Sequence, residues 1–163
     1  MAWAVILLAS GEDTAANDVA GRDRYSQRMR AWLRDHPLQE NAPRLRARAE
    51  VEEFDVHPSE QGRILDRLDV LATGISAADM VGVLGSASEV EVYAPAGHRK
   101  LIVDEHALLP GTGPVRVRWV PDDIWLRLDR PGDRRAPRAA ILLDLLESDE
   151  PRARREAARA LAS

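Results

Sequence analysis

Two alternating segments separated by a helical segment constrain the fold of this chain more than any other feature of its sequence. Residues 89–94 (EVEVYA) and 115–120 (VRVRWV) place apolar side chains at every second position, which is the period of a half-buried strand. Residues 97–106, which lie between them, fit a helix. Strands joined through a helix favour parallel pairing with a right-handed crossover. We therefore predict that these two strands pair in parallel.

Most of the remaining periodic segments favour helices. Tyr25, Met29 and Trp32 lie at i, i+4 and i+7, which predicts a helix over residues 23–35 that ends at His36-Pro37. Further predicted helices cover residues 44–51, 58–68, 76–84, 121–128, 137–147 and 151–162, with a weak strand at 53–56. The predicted fold is α+β, or a small α/β fold. A helical N-terminal lead-in precedes a small sheet flanked by helices, and two C-terminal helices end the chain.

Three segments are predicted along the chain. Residues 1–21 form an apolar start and a linker, residues 22–68 a helical basic region, and residues 69–163 an α/β domain. No Lys or Arg precedes the apolar run in MAWAVILLAS, so a buried strand or a misassigned start codon is favoured over a secretion signal. Residues 11–21 show neither a helical nor a strand period and predict a linker.

Composition excludes several classes of protein. The chain has no cysteine, which excludes disulfides, cysteine-ligated metals and thiol chemistry. No apolar run approaches the ~20 residues that span a bilayer, so we expect a cytoplasmic protein with no membrane partner. Lys and Arg number 23 against 27 Asp and Glu, a net charge of −4. The molecule as a whole is therefore not a polycation suited to nucleic acid.

The charge is nevertheless uneven, and one stretch is basic. Residues 21–50 hold eight arginines and four acids, whereas residues 51–60 hold four acids and no Lys or Arg. The predicted helices at 23–35 and 44–51 would form a degenerate helix-turn-helix region. Its candidate DNA-phosphate contacts are Arg24, Arg28, Arg44, Arg46 and Arg48. The alternative is a solvated helix face paired with the acidic block that follows.

No pattern of catalytic residues is evident. The four histidines lack the spacing of metal ligands, and no glycine-rich phosphate loop or GxSxG motif is present. We therefore predict no catalytic residue, no metal and no cofactor. An enzyme with an unrecognised site around Asp122, Asp123 and Asp144 is the least favoured alternative.

A protein partner is the better-supported expectation. Arginine and tryptophan are enriched at protein interfaces, and the strand at 115–120 is followed by a further tryptophan. The candidate partner-binding residues are Arg116, Arg118, Trp119 and Trp125. Tryptophans at such positions are also common in protein cores.

Four segments together resemble a known family. They are residues 69–79 (DVLATGISAAD), 89–95 (EVEVYAP), 115–125 (VRVRWVPDDIW) and 136–152 (APRAAILLDLLESDEPR). Their order and spacing resemble the C-terminal domain of bacterial AbiE-type antitoxins and related winged helix-turn-helix transcriptional regulators, over about residues 50–162. The resemblance implies a DNA-binding antitoxin, encoded with a nucleotidyltransferase-like toxin that it neutralises. The alternative is a truncated antitoxin half that binds a protein and does not bind DNA.

Overall fold

The computed structural model describes residues 1–21, 23–85, 88–129 and 132–162, and gives only the backbone of residues 23–26. The α-helices are α1 (Ala2–Ala9), α2 (Asp13–Ala20), α3 (Asp23–Asp35), α4 (Leu38–Leu45), α5 (Pro58–Leu65), α6 (Arg99–Glu105), α7 (Asp122–Leu128), α8 (Arg138–Leu146) and α9 (Pro151–Ala162). The strands are β1 (Glu50–Asp55), β2 (Leu71–Ala72), β3 (Val90–Pro95), β4 (Leu109–Pro110) and β5 (Val115–Val120). Short 3₁₀ helices cover Arg46–Arg48, Gly74–Val81 and Ala96–His98. The prediction of an α+β fold that ends in two helices is confirmed.

The strands form one mixed sheet in the order β2-β3-β5-β1-β4. Strands β3 and β5 pair in parallel, with Val92 opposite Val117, which confirms the prediction from the helix between them. The other pairs are antiparallel. Strand β1 lies between β5 and β4, although it falls in the segment predicted as a helical lead-in. The predicted boundary at residue 69 therefore cuts through the sheet.

Alternation along the strands divides the apolar residues between two cores. Val92, Val117 and Trp119 pack on one face with Ile64 of α5 and Ile102 of α6. Tyr93 and Val120 belong to the other core, to which α1, α7, α8 and α9 contribute. The same alternation turns the two arginines of β5 away from the α5–α6 face and towards α8.

Two helices cover most of the N-terminal twenty residues, so the predicted buried strand and the predicted linker were both wrong. Trp3–Leu8 of α1 are all buried in the larger core. A short, continuously apolar run has no period that separates a buried helix from a buried strand, so only the packing of α1 decides its conformation. The predicted linker contains α2, which packs on α1 and ends at Gly21 in the left-handed conformation (φ 71°).

The predicted helix over residues 44–51 was also wrong. Helix α4 begins earlier, at Leu38, and its buried side consists of Leu38, Asn41 and Leu45. After a single 3₁₀ turn the chain enters β1, where Glu50 lies opposite Trp119 of β5. Pairing with β5 thus replaces the helix that local propensity favours at this position. No helix in the described part of the chain is long and apolar enough to cross a membrane.

Candidate functional site

A buried ionic network lies between the sheet and α8, with Asp144 at its centre. Asp144 is 0% exposed. Its carboxylate accepts hydrogen bonds from the Arg48 guanidinium, the Thr73 hydroxyl and the Tyr93 hydroxyl, the last at 3.0 Å. Arg118 Nε lies 3.2 Å from the same carboxylate. Two arginines therefore share one acid in the interior of the protein.

Each member of this network is positioned by its local structure. Arg118 points to α8 because its neighbours Val117 and Trp119 face the opposite core. Arg48 ends the 3₁₀ turn after α4, and its carbonyl accepts a hydrogen bond from the Trp3 indole at 2.8 Å. The network thereby joins α1, the α4 segment, the sheet and α8.

Opposing charges decide the protonation states in the network. Burial alone would raise the pKa of Asp144, but Arg118 and Arg48 outweigh it and hold this pKa below its usual value. For Glu91, burial is the largest effect and raises the pKa, in spite of nearby arginines. A general base works best with a pKa near the operating pH. Asp144 therefore acts as a fixed counter-charge for the two arginines.

Glu147 and Glu91 extend the network towards the surface. Glu147 accepts hydrogen bonds from Arg48 at 3.2 Å and from Arg118 at 3.0 Å. Arg116 donates to Glu91 at 2.8 Å and to Glu53 at 2.7 Å. Each of these acids is thus matched by a guanidinium. Asp144, an acid in the middle of the leucine-rich helix α8, is the signal in the sequence that could have indicated the network.

The burial of the predicted site residues requires corrections. Arg48 is only 3% exposed, so its placement among DNA-phosphate contacts was wrong, because Asp144 already neutralises its charge in the interior. Arg118, Trp119 and Trp125 are 1%, 2% and 7% exposed. Their assignment to a partner-binding surface was wrong because buried side chains cannot contact a partner. The tryptophans are core residues, which was the alternative.

The remaining predicted residues are distributed as follows. Arg28, Arg44 and Arg46 are exposed, and Arg116 is half-buried in its ion pairs. The side chain of Arg24 lies outside the described residues, although its backbone belongs to α3. Three of the five predicted phosphate contacts are therefore on the surface.

Exposed arginines are concentrated on three elements, which we call the basic helices: α3, α4 with its 3₁₀ turn, and α9. Their exposed described arginines are Arg28, Arg30, Arg34, Arg44, Arg46, Arg152, Arg154, Arg155 and Arg159. The acids among their described side chains are Asp35, Glu40 and Glu156. Helix α4 packs against α9, and Arg46 and Arg154 line one cleft of about 390 Å³. Residues of α3, α4 and α9 also line one further depression, so the three basic helices are neighbours in space.

A second depression, which we call the groove, lies where α3, α4, α8 and α9 meet. Its volume is about 550 Å³. Leu33, Leu38, Leu142 and Leu161 contribute apolar surface, and Arg30, Arg34 and Arg138 also line it. No family model, curated protein or solved structure matches this chain.

Proposed function

We propose that this chain is a cytoplasmic, DNA-binding transcriptional regulator of antitoxin type. The observation that carries the proposal is the excess of exposed arginine on the basic helices of a chain whose net charge is −4. Arg28, Arg44 and Arg46 contact DNA phosphates, which positions the protein without reading the base sequence.

The antitoxin part of the proposal is supported by the sequence of residues 50–162. In the family that this segment resembles, such a protein is encoded with a nucleotidyltransferase-like toxin, and we propose a toxin of this kind as the protein partner. A reading frame of that type beside this gene would support the proposal. Its absence there would count against it.

A second candidate is a protein-interaction domain that does not bind DNA. The groove favours it, because a leucine-lined surface offers apolar contact that a phosphate backbone does not use. Salt dependence separates the two candidates. Binding through phosphates releases counterions, so with three phosphate contacts it should weaken by about fortyfold between about 50 and 200 mM salt.

The test measures binding to a labelled duplex from the DNA upstream of the gene and to an unrelated duplex of equal length. We expect affinity for both duplexes to fall steeply with salt. The double substitution Arg44→Ala/Arg46→Ala should weaken binding to both and reduce the salt slope by about 1 per arginine. Arg63→Ala is the matched control, because Arg63 is an exposed arginine of α5, which packs on the opposite face of the sheet.

Stability distinguishes a binding effect from an unfolding effect. Arg44 and Arg46 are exposed, so their substitution should change the free energy of unfolding by less than about 0.5 kcal/mol. If the wild-type protein shows no salt-dependent DNA binding, or if the double variant binds as the control does, DNA binding by the basic helices is refuted.

A further inference from the structure

The groove combines exposed apolar side chains with positively charged ones. Leu33 and Leu161 are only half-buried and leave an apolar floor open to solvent, whereas Leu142, which also lines the groove, is fully buried. Three arginines line the groove as well, and none of its lining residues in the described part of the chain is acidic. Cationic side chains around apolar surface suit a ligand that is itself both apolar and negatively charged.

The charges around the groove are largely unneutralised. Arg30 forms an ion pair with Asp13 at 2.8 Å. Arg34 and Arg138 are exposed, and neither forms an ion pair or a side-chain hydrogen bond with a residue that the structure describes. Two guanidinium groups are thus available to carboxylates of a ligand that covers the leucines.

We propose that the groove binds an acidic amphipathic helix of a protein partner. Its apolar residues, at i, i+3, i+4 and i+7, cover the leucine floor, and its Glu or Asp side chains pair with Arg34 and Arg138. The inference rests on the proposed function in taking the partner to be a protein, but it does not require DNA binding. It assigns the partner contact to the groove rather than to Trp119 and Trp125.

The other occupants fit the groove less well. DNA supplies phosphates but no apolar surface for the leucines. A small anionic molecule prefers a pocket that buries most of its surface, whereas the groove is an open depression between helices. A second copy of this chain would bring further arginines, because the helices that surround the groove are themselves basic.

The test uses two synthetic peptides with identical leucine positions, one with glutamates and one with lysines at the flanking positions. Fluorescence anisotropy measures the binding of each labelled peptide to the full chain at constant ionic strength. The wild-type protein should bind the glutamate peptide at least about tenfold more tightly than the lysine peptide. The double substitution Arg34→Glu/Arg138→Glu should reverse this preference.

Matched variants separate the groove from general attraction to a basic surface. Arg155→Glu changes an exposed arginine of α9 that does not line the groove, and it should alter the affinity by no more than about twofold. Leu161→Ser should weaken the binding of the glutamate peptide, and the protein should still bind this peptide more tightly than the lysine peptide. The DNA-binding variant Arg44→Ala/Arg46→Ala should bind the peptide as the wild type does, so the two proposals can fail separately.

Four results would overturn the inference. The first is that the glutamate peptide does not bind. The second is that Arg155→Glu weakens the binding of this peptide as much as Arg34→Glu/Arg138→Glu does. The third is that decanoate binds the groove while the glutamate peptide does not, which would identify a small amphiphile as the occupant. The fourth is that sedimentation shows a dimer that Arg34→Glu/Arg138→Glu dissociates, which would identify a second copy of the chain as the occupant of the groove.

Discussion

Replacement of Asp144 by Asn tests the central feature of the interior. The substitution keeps the shape of the side chain and removes its charge. In the folded protein Arg48 and Arg118 then share Glu147, the described acid that still forms an ion pair with both and that also lies 3.9 Å from Arg46. The amide group of Asn places a donor where the carboxylate accepted hydrogen bonds, so part of the network is left without acceptors.

The expected magnitude follows from the burial of these groups. Removing one partner of a buried ion pair costs about 3–5 kcal/mol, because the charge that remains is uncompensated. For a chain of 163 residues, each kcal/mol lowers Tm by about 2–4 °C, so Asp144→Asn should lower Tm by about 6–20 °C. Such a loss is a large part of the about 5–15 kcal/mol that stabilises a typical domain.

Urea unfolding followed by circular dichroism at pH 7 measures the effect. Asp104→Asn is the control, because Asp104 pairs with Lys100 on the surface, where both side chains are mostly exposed. This control should change the free energy of unfolding by less than about 0.5 kcal/mol. Adding Arg48→Met to Asp144→Asn should cost less than the two single changes together. A loss below about 1 kcal/mol for Asp144→Asn would refute the assignment of Asp144 as the counter-charge of the buried arginines.

Two further predictions concern pH and backbone geometry. Asp144 has a lowered pKa in the folded state, so its contribution to stability is complete above its ordinary pKa of 3.8 and is lost as the pH falls through the folded value. Urea midpoints measured between about pH 2 and 6 should therefore decrease towards low pH, and Asp144→Asn should reduce this decrease. Gly74 has φ +48°, and an added Cβ would overlap the Glu91 carboxylate, so Gly74→Ala should cost about 1–3 kcal/mol in thermal unfolding. Gly62→Ala in α5, where nothing lies within 4 Å, should not destabilise; an equal loss in both variants would contradict the steric argument.

The parts of the fold that depend on local periodicity could be predicted from the sequence. Strands β3 and β5 lie within one residue of the predicted segments, and helix α3 has the predicted bounds. Their patterns are strong because most of the apolar residues of each element recur with a single period, on one side of the helix or strand. The parallel pairing of β3 and β5 could be predicted from the helix between them, because the chain needs a crossover connection to start the second strand from the same end of the sheet.

Elements whose environment is set by distant residues could not be predicted in this way. Helix α1 is apolar throughout, so its sequence has no preferred side, and its neighbours in the core decide its conformation. The burial of Arg48 depends on Asp144, which lies 96 residues further along the chain. No local pattern distinguishes Arg48 from the exposed arginines beside it.

Arg46 and Arg48 illustrate how the buried network and the surface depend on one another. The two arginines lie in one 3₁₀ turn, where residues two apart point in different directions because the helix has three residues per turn. Asp144 holds the guanidinium of Arg48, and Trp3 holds its carbonyl, so this turn is anchored at both its backbone and its side chain. Arg46 is consequently directed outwards from a fixed element, with its side chain 69% exposed. In the proposed complex with DNA, the buried Arg48 fixes the position from which Arg46 contacts phosphate.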